Sequence, residues 1–342
     1  MNNKIASFLP VLLAGFLLGA DQPKIPPMPS AVTFNSVTSL KSGIEVYSLM
    51  GIGTKRTWDD VSNKMYVLSL KSGKWVEGRP VPGVAGRLGS AAIGAKGQVF
   101  VFGGYVVDGQ GNELTVGDVN SYLPEDHRWY RAADLPVSVA DAVIGVTHDR
   151  FIYIMGGRSK DGPVNNVQVY DADKNTWSQA TPSPGSPVFG HAGGIIEETI
   201  IYVDGAKKDA NGHYVASDEC WIGKIDRKDP NKIEWSKLPA HPGPGRFGIV
   251  GGAGEHRVLF SGGTLAPHNF KGVGEDGKPA ELSPVTFAFD LHGSKWETIM
   301  EDTYDVRADV RGLPFTPLGP LILGGTLKNS AVSARVLALP KK

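Results

Sequence analysis

The side chains best suited to chemistry in this sequence are arginines and histidines set close to glycines. Arg87 in AGRLGS, Arg246 in PGRFGI and Arg311 in DVRGLP each lie beside a short apolar run, and Arg158 follows a glycine pair in YIMGGRS. A guanidinium offers a planar fork of donors that matches a carboxylate at two points. Several such groups around one pocket repel unless an anion or neighbouring carboxylates join them. His191 in VFGHAGG and Asp204 in IYVDGA are candidates to carry a proton, and His268 in TLAPHNF is a further polar contact.

Other chemical motifs fail on context. GPGRFG (243–248) and GVGEDG (272–277) match the spacing of a phosphate-binding glycine loop. That loop needs a strand before it and a helix after it, whereas an apolar strand pattern follows the first and Pro279 follows the second. DADKNT (171–176) begins like a calcium loop but lacks the glycine at its sixth position, and Pro182 stands where the closing glutamate belongs. It reads as a turn between strands. No G-x-S-x-G or H-E-x-x-H occurs. No cofactor and no metal is expected.

The elements that must position these residues repeat along the chain. FVFGG, YIMGG, LFSGG and LILGG are apolar runs that end on paired glycines, at Gly104, Gly157, Gly263 and Gly325. LMGIGT, aligned on Gly53, and IYVDGA, aligned on Gly205, are imperfect copies. Five of the six are followed by another apolar run and then a tryptophan: Trp75, Trp129, Trp177, Trp235 and Trp296. Val, Ile, Tyr and Phe dominate the runs, and KSG, DKN and HGS separate them, as strands separated by turns require. Each unit thus holds four strands. One four-stranded sheet cannot bury both of its faces, but a ring of such sheets can. The hydrophobic run, glycine pair and later tryptophan resemble the kelch repeat family. The expected fold is all-β: a six-bladed kelch-type β-propeller. The last unit lacks its tryptophan, and PKIPPMPSAVTF near the start resembles AADLPVSVADAV, so an N-terminal strand is expected to close the last blade.

In an up-and-down blade, the loop leading into the first strand and the loop after the glycines share one mouth of the central channel. That geometry gathers Arg87, His191, Arg246, Arg311 and Asp141 with Tyr105, Arg158 and His268. Together with export and the long blade-five insertion TLAPHNFKGVGEDGKPAELSP, the pattern is similar to a bacterial family of exported N-acetylneuraminate epimerases (mutarotases). The resemblance implies an isomerase in which arginines hold the carboxylate of a small acidic sugar while an acid and a base open and reclose its ring. That family carries a glutamate just after the blade-four glycine, and here Ala206 takes the place. His191 and Asp204 are the expected catalytic groups; Arg87, Arg158, Arg246, His268 and Arg311 are the expected ligand contacts. Another kelch relative is a copper oxidase that needs a cysteine-linked tyrosine and two histidine ligands. The lone Cys220 falls in a third strand, away from such a set. The competing expectation is a non-catalytic propeller that binds a glycan or a protein partner, since fold alone does not fix function.

Bulk properties set the frame. The chain has 342 residues, with 35 basic and 35 acidic side chains. A net charge of zero gives none of the positive field that nucleic acid or an anionic membrane attracts. Lys4 followed by an apolar run to Ala20 reads as a signal peptide over 1–20, with a single propeller domain over 21–342. A periplasmic or secreted protein is expected, with no membrane contact after the signal is removed. One cysteine excludes an internal disulfide, so the core must supply the stability.

Overall fold

The computed structural model describes residues 25–83, 86–303 and 305–341. The expected signal over 1–20 lies outside them. Short antiparallel strands dominate, with almost no helix. In blade one, Asn35–Leu40, Glu45–Ile52, Val61–Ser69 and Lys74–Glu77 pair in chain order. Blades two to five repeat this up-and-down plan, and six blades surround one channel. The second strands, such as Gln98–Phe102, Phe151–Met155 and Thr199–Val203, are apolar and buried almost throughout. A neighbouring blade covers each of their faces, which explains continuous apolar runs in place of alternation. The outer strands, such as Lys74–Glu77 and Arg128–Arg131, are largely exposed.

Two hydrogen-bond belts tie the blades together. The inner belt uses a residue one or two positions before each first strand: Phe34, Gly89, Asp141, Gly190, Gly248 and Asp309. All six have φ between 55° and 66°. Each N–H donates to the carbonyl of the preceding member at 2.6–3.2 Å, and Phe34 donates to Asp309, so the belt closes on itself. The outer belt uses the tryptophans. Trp129, Trp177, Trp235 and Trp296 donate their indole N–H to Arg79, Ala133, Thr181 and Pro239, each on the preceding blade. Trp75 donates to Pro26 at 3.0 Å, so the N-terminal segment stands where a preceding blade is needed.

The glycine pairs have two steric causes. Gly104, Gly157, Gly205, Gly263 and Gly325 have φ of 83–99°. A Cβ on Gly157 would stand 2.8 Å from the carbonyl of Ala140 in its own blade. The first member of each pair faces the next blade instead: a Cβ on Gly156 would stand 3.1 Å from Val188 O. Blade one corrects the alignment. Its pair is Met50 (φ 57°) and Gly51 (φ 106°), and Gly53 lies beyond it. Ile52 bridges Thr33 just as Tyr105 bridges Leu88, which fixes that register.

Blade six is assembled from both ends of the chain. Val310–Arg311, Phe315–Thr316, Gly319–Leu323 and Val336–Ala338 come from the C-terminal end. Val310–Arg311 also pairs in parallel with Asn35 and Ser36 of blade one. Met28 N–H donates to Ala334 O at 2.7 Å, as Leu135 N–H does to Gly117 O within blade two. Residues 25–32 therefore take the course that follows an outer strand. The closing strand expected before them lies outside the described residues.

Candidate functional site

Hairpins crown one end of the channel. Tyr105–Val107 pairs with Glu113–Thr115, Arg158–Ser159 with Gly162–Pro163, and Ala206–Lys208 with Tyr214–Ala216. The blade-five insertion between Thr264 and Leu282 folds over the opening. Arg56 of blade one pins it, donating to Phe270 O at 2.7 Å, to Ser330 O at 2.8 Å and to Thr326 Oγ1 at 2.7 Å. Beneath the insertion is a cavity of about 230 Å³. Phe34, Tyr105, Phe189, Tyr214, Phe247 and Phe270 give it aromatic walls, and Glu113, Asp141, Arg158, His268 and Glu275 supply the polar groups. Small-molecule sites have this character, an apolar enclosure with a few placed polar groups.

Arg158 lies between the rings of Tyr105 and Phe189, at 5.0 and 5.7 Å from their centroids, and pairs with Glu113. Burial works against its charge, but the carboxylates of Glu113 and Asp141 outweigh it and hold the guanidinium above its ordinary range. Its Nε is buried without a partner. Burial, reinforced by Glu113 and Asp141, pushes the Tyr105 hydroxyl well above its ordinary range, so it stays a neutral phenol.

Two members of the inner belt are aspartates, from blades three and six, which lie opposite one another in a six-blade ring. Asp141 Oδ1 accepts from Arg311 Nε at 2.8 Å and lies 2.7 Å from Arg311 Nη2. Asp309 Oδ2 accepts from Thr326 Oγ1 at 2.7 Å and lies 3.5 Å from His268 Nε2. Arg311 reaches across the axis from blade six. It separates the mouth from a second cavity of about 270 Å³ that runs down the channel between the first strands.

The seven expected site residues therefore separate. Arg158 and His268 line the mouth cavity. Arg311 backs it through Asp141. His191 lines the channel beyond Arg311, and its imidazole is pushed down to about 3 by burial, then by the charge of Arg311. Arg87 and Arg246 are placed away from the mouth and lie between strands. Arg87 donates to Asp118 O at 2.9 Å, and Arg246 donates to Val285 O at 2.9 Å and Gly262 O at 3.3 Å. Loop carbonyls left over beside the glycine pairs need donors, and these arginines supply them. Asp204 is likewise enclosed between blades four and five, where His241 Nε2 meets its Oδ1 at 2.6 Å. His241 stacks on Phe287 with centroids 4.5 Å apart. Ala206 is fully buried beneath Phe189 and Phe247.

Sequence reasoning missed Glu113, Asp309 and Arg56. A signal existed for Asp309: VADAV and RADVR place an aspartate in the same register. Glu113 opens the return strand of a crown hairpin and Arg56 lies in a loop, and neither has a repeat phase to betray it. Among the described residues, no three His, Cys, Asp or Glu side chains are grouped to hold a metal ion. Cys220 is buried in the third strand of blade four, and burial pushes its thiol up to about 12. Among the described residues, no helix is long and apolar enough to cross a membrane.

Comparison with known proteins places this geometry in context. The family model described as the KLHDC2/KLHL20/DRC7 Kelch-repeats domain matches residues 36–263. Kelch-like protein 38 of Rattus norvegicus is 30% identical over 161 residues, which cover 47% of this chain and 26% of that protein. The chain spans only about a quarter to a third of the length of such kelch-like relatives. N-acetylneuraminate epimerase of Haemophilus influenzae (strain 86-028NP) is 25% identical, with 85% of each chain covered. A solved structure described as the structure of YjhT superposes with a TM-score of 0.74 at 19% identity, covering 91% of this chain and 95% of that one.

Proposed function

The chain belongs to the Kelch-repeat family, and on that premise we propose that it binds a small acidic sugar in the mouth cavity and interconverts the sugar's anomers. The observation that carries this reading is Arg158. Its guanidinium lies within an aromatic-walled cavity, with Nε buried and unpartnered. A buried donor without a partner costs stability, and a ligand carboxylate would satisfy it. The aromatic faces suit the apolar face of a sugar ring. The epimerase relative, matched over 85% of both chains, supports the substrate class. The N-terminal apolar run supports export, and the periplasm or the exterior is the proposed location.

A second reading is binding without catalysis, to a glycan or a protein partner. It rests on Ala206, which puts a methyl where the similar epimerase family has a glutamate. It also rests on the crown, where Trp58, Leu114, Val215 and Leu265 are exposed. One experiment separates the two readings. N-acetylneuraminate is titrated into the protein while exchange between its α and β signals is followed by NMR. Saturable binding with accelerated exchange is expected. Binding without acceleration selects the second reading, and no binding overturns the acidic-sugar proposal.

A further inference from the structure

We propose that Glu113 is the catalytic group of the mouth cavity, the carboxylate that takes and returns the proton as the sugar ring opens and recloses; this assignment rests on the anomer-interconverting reading above. In N-acetylneuraminate the carboxylate is attached to the anomeric carbon itself. A guanidinium that holds the carboxylate therefore brings the anomeric hydroxyl and the ring oxygen close to its own partners. Arg158 donates to Glu113 through Nη2, while its Nε is left over. A ligand carboxylate received by Arg158 stands beside Glu113. The crown hairpin fixes that carboxylate in place. Asp108 Oδ1 accepts from Gln110 N–H at 2.9 Å and from Asn112 N–H at 2.8 Å, which closes the turn. Glu113 then opens the return strand opposite Val107, and strand alternation sets it on the same face as Tyr105, on whose ring Arg158 lies.

The cavity is lined by three other carboxylates or imidazoles, and each is committed elsewhere. Glu275 is exposed at the rim and turned to the blade-four hairpin, where His213 Nδ1 lies 3.0 Å from its Oε2 and Tyr214 N–H donates to its Oε1 at 3.4 Å. Asp141 is almost fully buried, and its Oδ1 accepts from Arg311 Nε. The His268 imidazole is enclosed, with Nε2 against Asp309. Of the groups in blade four, His191 lines the channel on the far side of Arg311, Asp204 is enclosed between blades, and Ala206 has no proton to transfer. Glu113 keeps 20% of its side-chain surface open and lines the cavity beside Arg158. Binding prepares it for the reaction. Once the ligand's carboxylate joins Arg158, two negative groups share one guanidinium, and a proton on Glu113 relieves their repulsion.

The step balances without a co-reactant. Glu113 takes the proton of the anomeric hydroxyl, and the freed electron pair forms the carbonyl. The ring carbon–oxygen bond breaks, its pair stays on the ring oxygen, and that oxygen takes the proton back from Glu113. Both oxygens are carried by the anomeric carbon, so one carboxyl group serves both. After the carbonyl turns its other face, the transfers run backwards and the second anomer closes, with Glu113 again a carboxylate.

The test uses the intact protein with N-acetylneuraminate as probe, and measures Kd and the exchange rate at saturation separately. Glu113→Gln keeps a carbonyl oxygen for Arg158 but cannot take a proton. It is expected to slow exchange by about 10²–10⁴-fold, the usual contribution of a positioned acid or base. Kd should be unchanged or lower, because the ligand's carboxylate loses a like-charged neighbour. Glu113→Asp keeps the charge facing Arg158 and withdraws it by one methylene, which should slow exchange about 10²-fold, the scale of a misplacement of about 1 Å. This second variant carries the test if Glu113→Gln loses its fold. If the unmodified protein accelerates exchange and Glu113→Gln is equally fast, the assignment is overturned while the sugar reading stands. A raised Kd with an unchanged rate at saturation also overturns it, since Glu113 then only positions Arg158. If the unmodified protein binds the sugar without accelerating exchange, the assignment and the catalytic reading fall together and binding remains. If it does not bind, all three fall.

Discussion

Arg246 and Arg158 are both guanidinium groups close to a glycine pair, yet the ring gives them opposite tasks. Arg246 stands two residues before its belt position and is fully buried, with Nη1 and Nη2 donating to the Val285, Gly262 and Pro242 carbonyls and Nε buried without a partner. Arg87 and Arg307 hold the same place in blades two and six; Arg307 donates to Gly324 O and pairs with Asp305. Arg158 follows the glycine pair, and Arg311 stands two residues after its belt position; both turn toward the axis. A shift of a few residues about the belt decides whether a positive charge serves blade packing or the cavity. Residue type and neighbouring glycines do not reveal which.

Substitutions should separate the two regions, and the largest effect concerns the channel beside Arg311. His191 has a native value of about 3 against an ordinary value near 6.5, with burial the first cause and Arg311 the second. Below pH 6.5 the unfolded chain takes up a proton that the native imidazole refuses. Stability is therefore full above about pH 6.5 and falls as pH drops toward 3, by about 4–5 kcal/mol in total. Chemical denaturation across that window should show the loss, and His191→Gln should flatten it. An unchanged slope in the variant would show that the acid loss arises elsewhere.

Arg246→Met should cost about 3–5 kcal/mol, because three carbonyls and the neighbouring Asp204 lose a buried cation. Its denaturation midpoint measures this. Arg158→Ala should lower the midpoint less than Arg246→Met, by about 1–3 kcal/mol, because it leaves a mostly buried Glu113 without its partner. The same variant should weaken N-acetylneuraminate about 10²-fold, the scale of a lost charge-assisted contact. Trp177→Phe is the smallest change. It removes one bond of the outer belt, to Ala133 O, and should cost about 1 kcal/mol without altering ligand affinity.

The fold was legible because a ring repeats itself. Glycine pairs, tryptophans and apolar runs recur in most of the blades, so each unit predicts the others. The belt explains this, since every blade must supply the same left-handed residue and the same donors. Even so, the aligned glycine of blade one slipped from Gly51 to Gly53, because Met50 replaces the first glycine of the pair. The site was legible only in part. Arg158 and His268 were expected at the mouth from the loops that carry them, and both border its cavity. Arg87 and Arg246 share one repeat position with Arg307, two residues before the belt, where the side chain serves blade packing; Asp204 takes the place of the first glycine of its pair and is closed in between blades. Glu113 and Arg56 lie where the blades differ from one another, so no periodicity marks them.

The most direct test sets Arg158→Ala beside Arg246→Met, measuring N-acetylneuraminate affinity and unfolding stability for both. A crossed outcome is expected, with Arg158→Ala the more stable of the two but weak in binding, and Arg246→Met the less stable but, while folded, unimpaired in affinity. If folded Arg246→Met loses the sugar and Arg158→Ala retains it, the ligand does not lie in the mouth cavity described above.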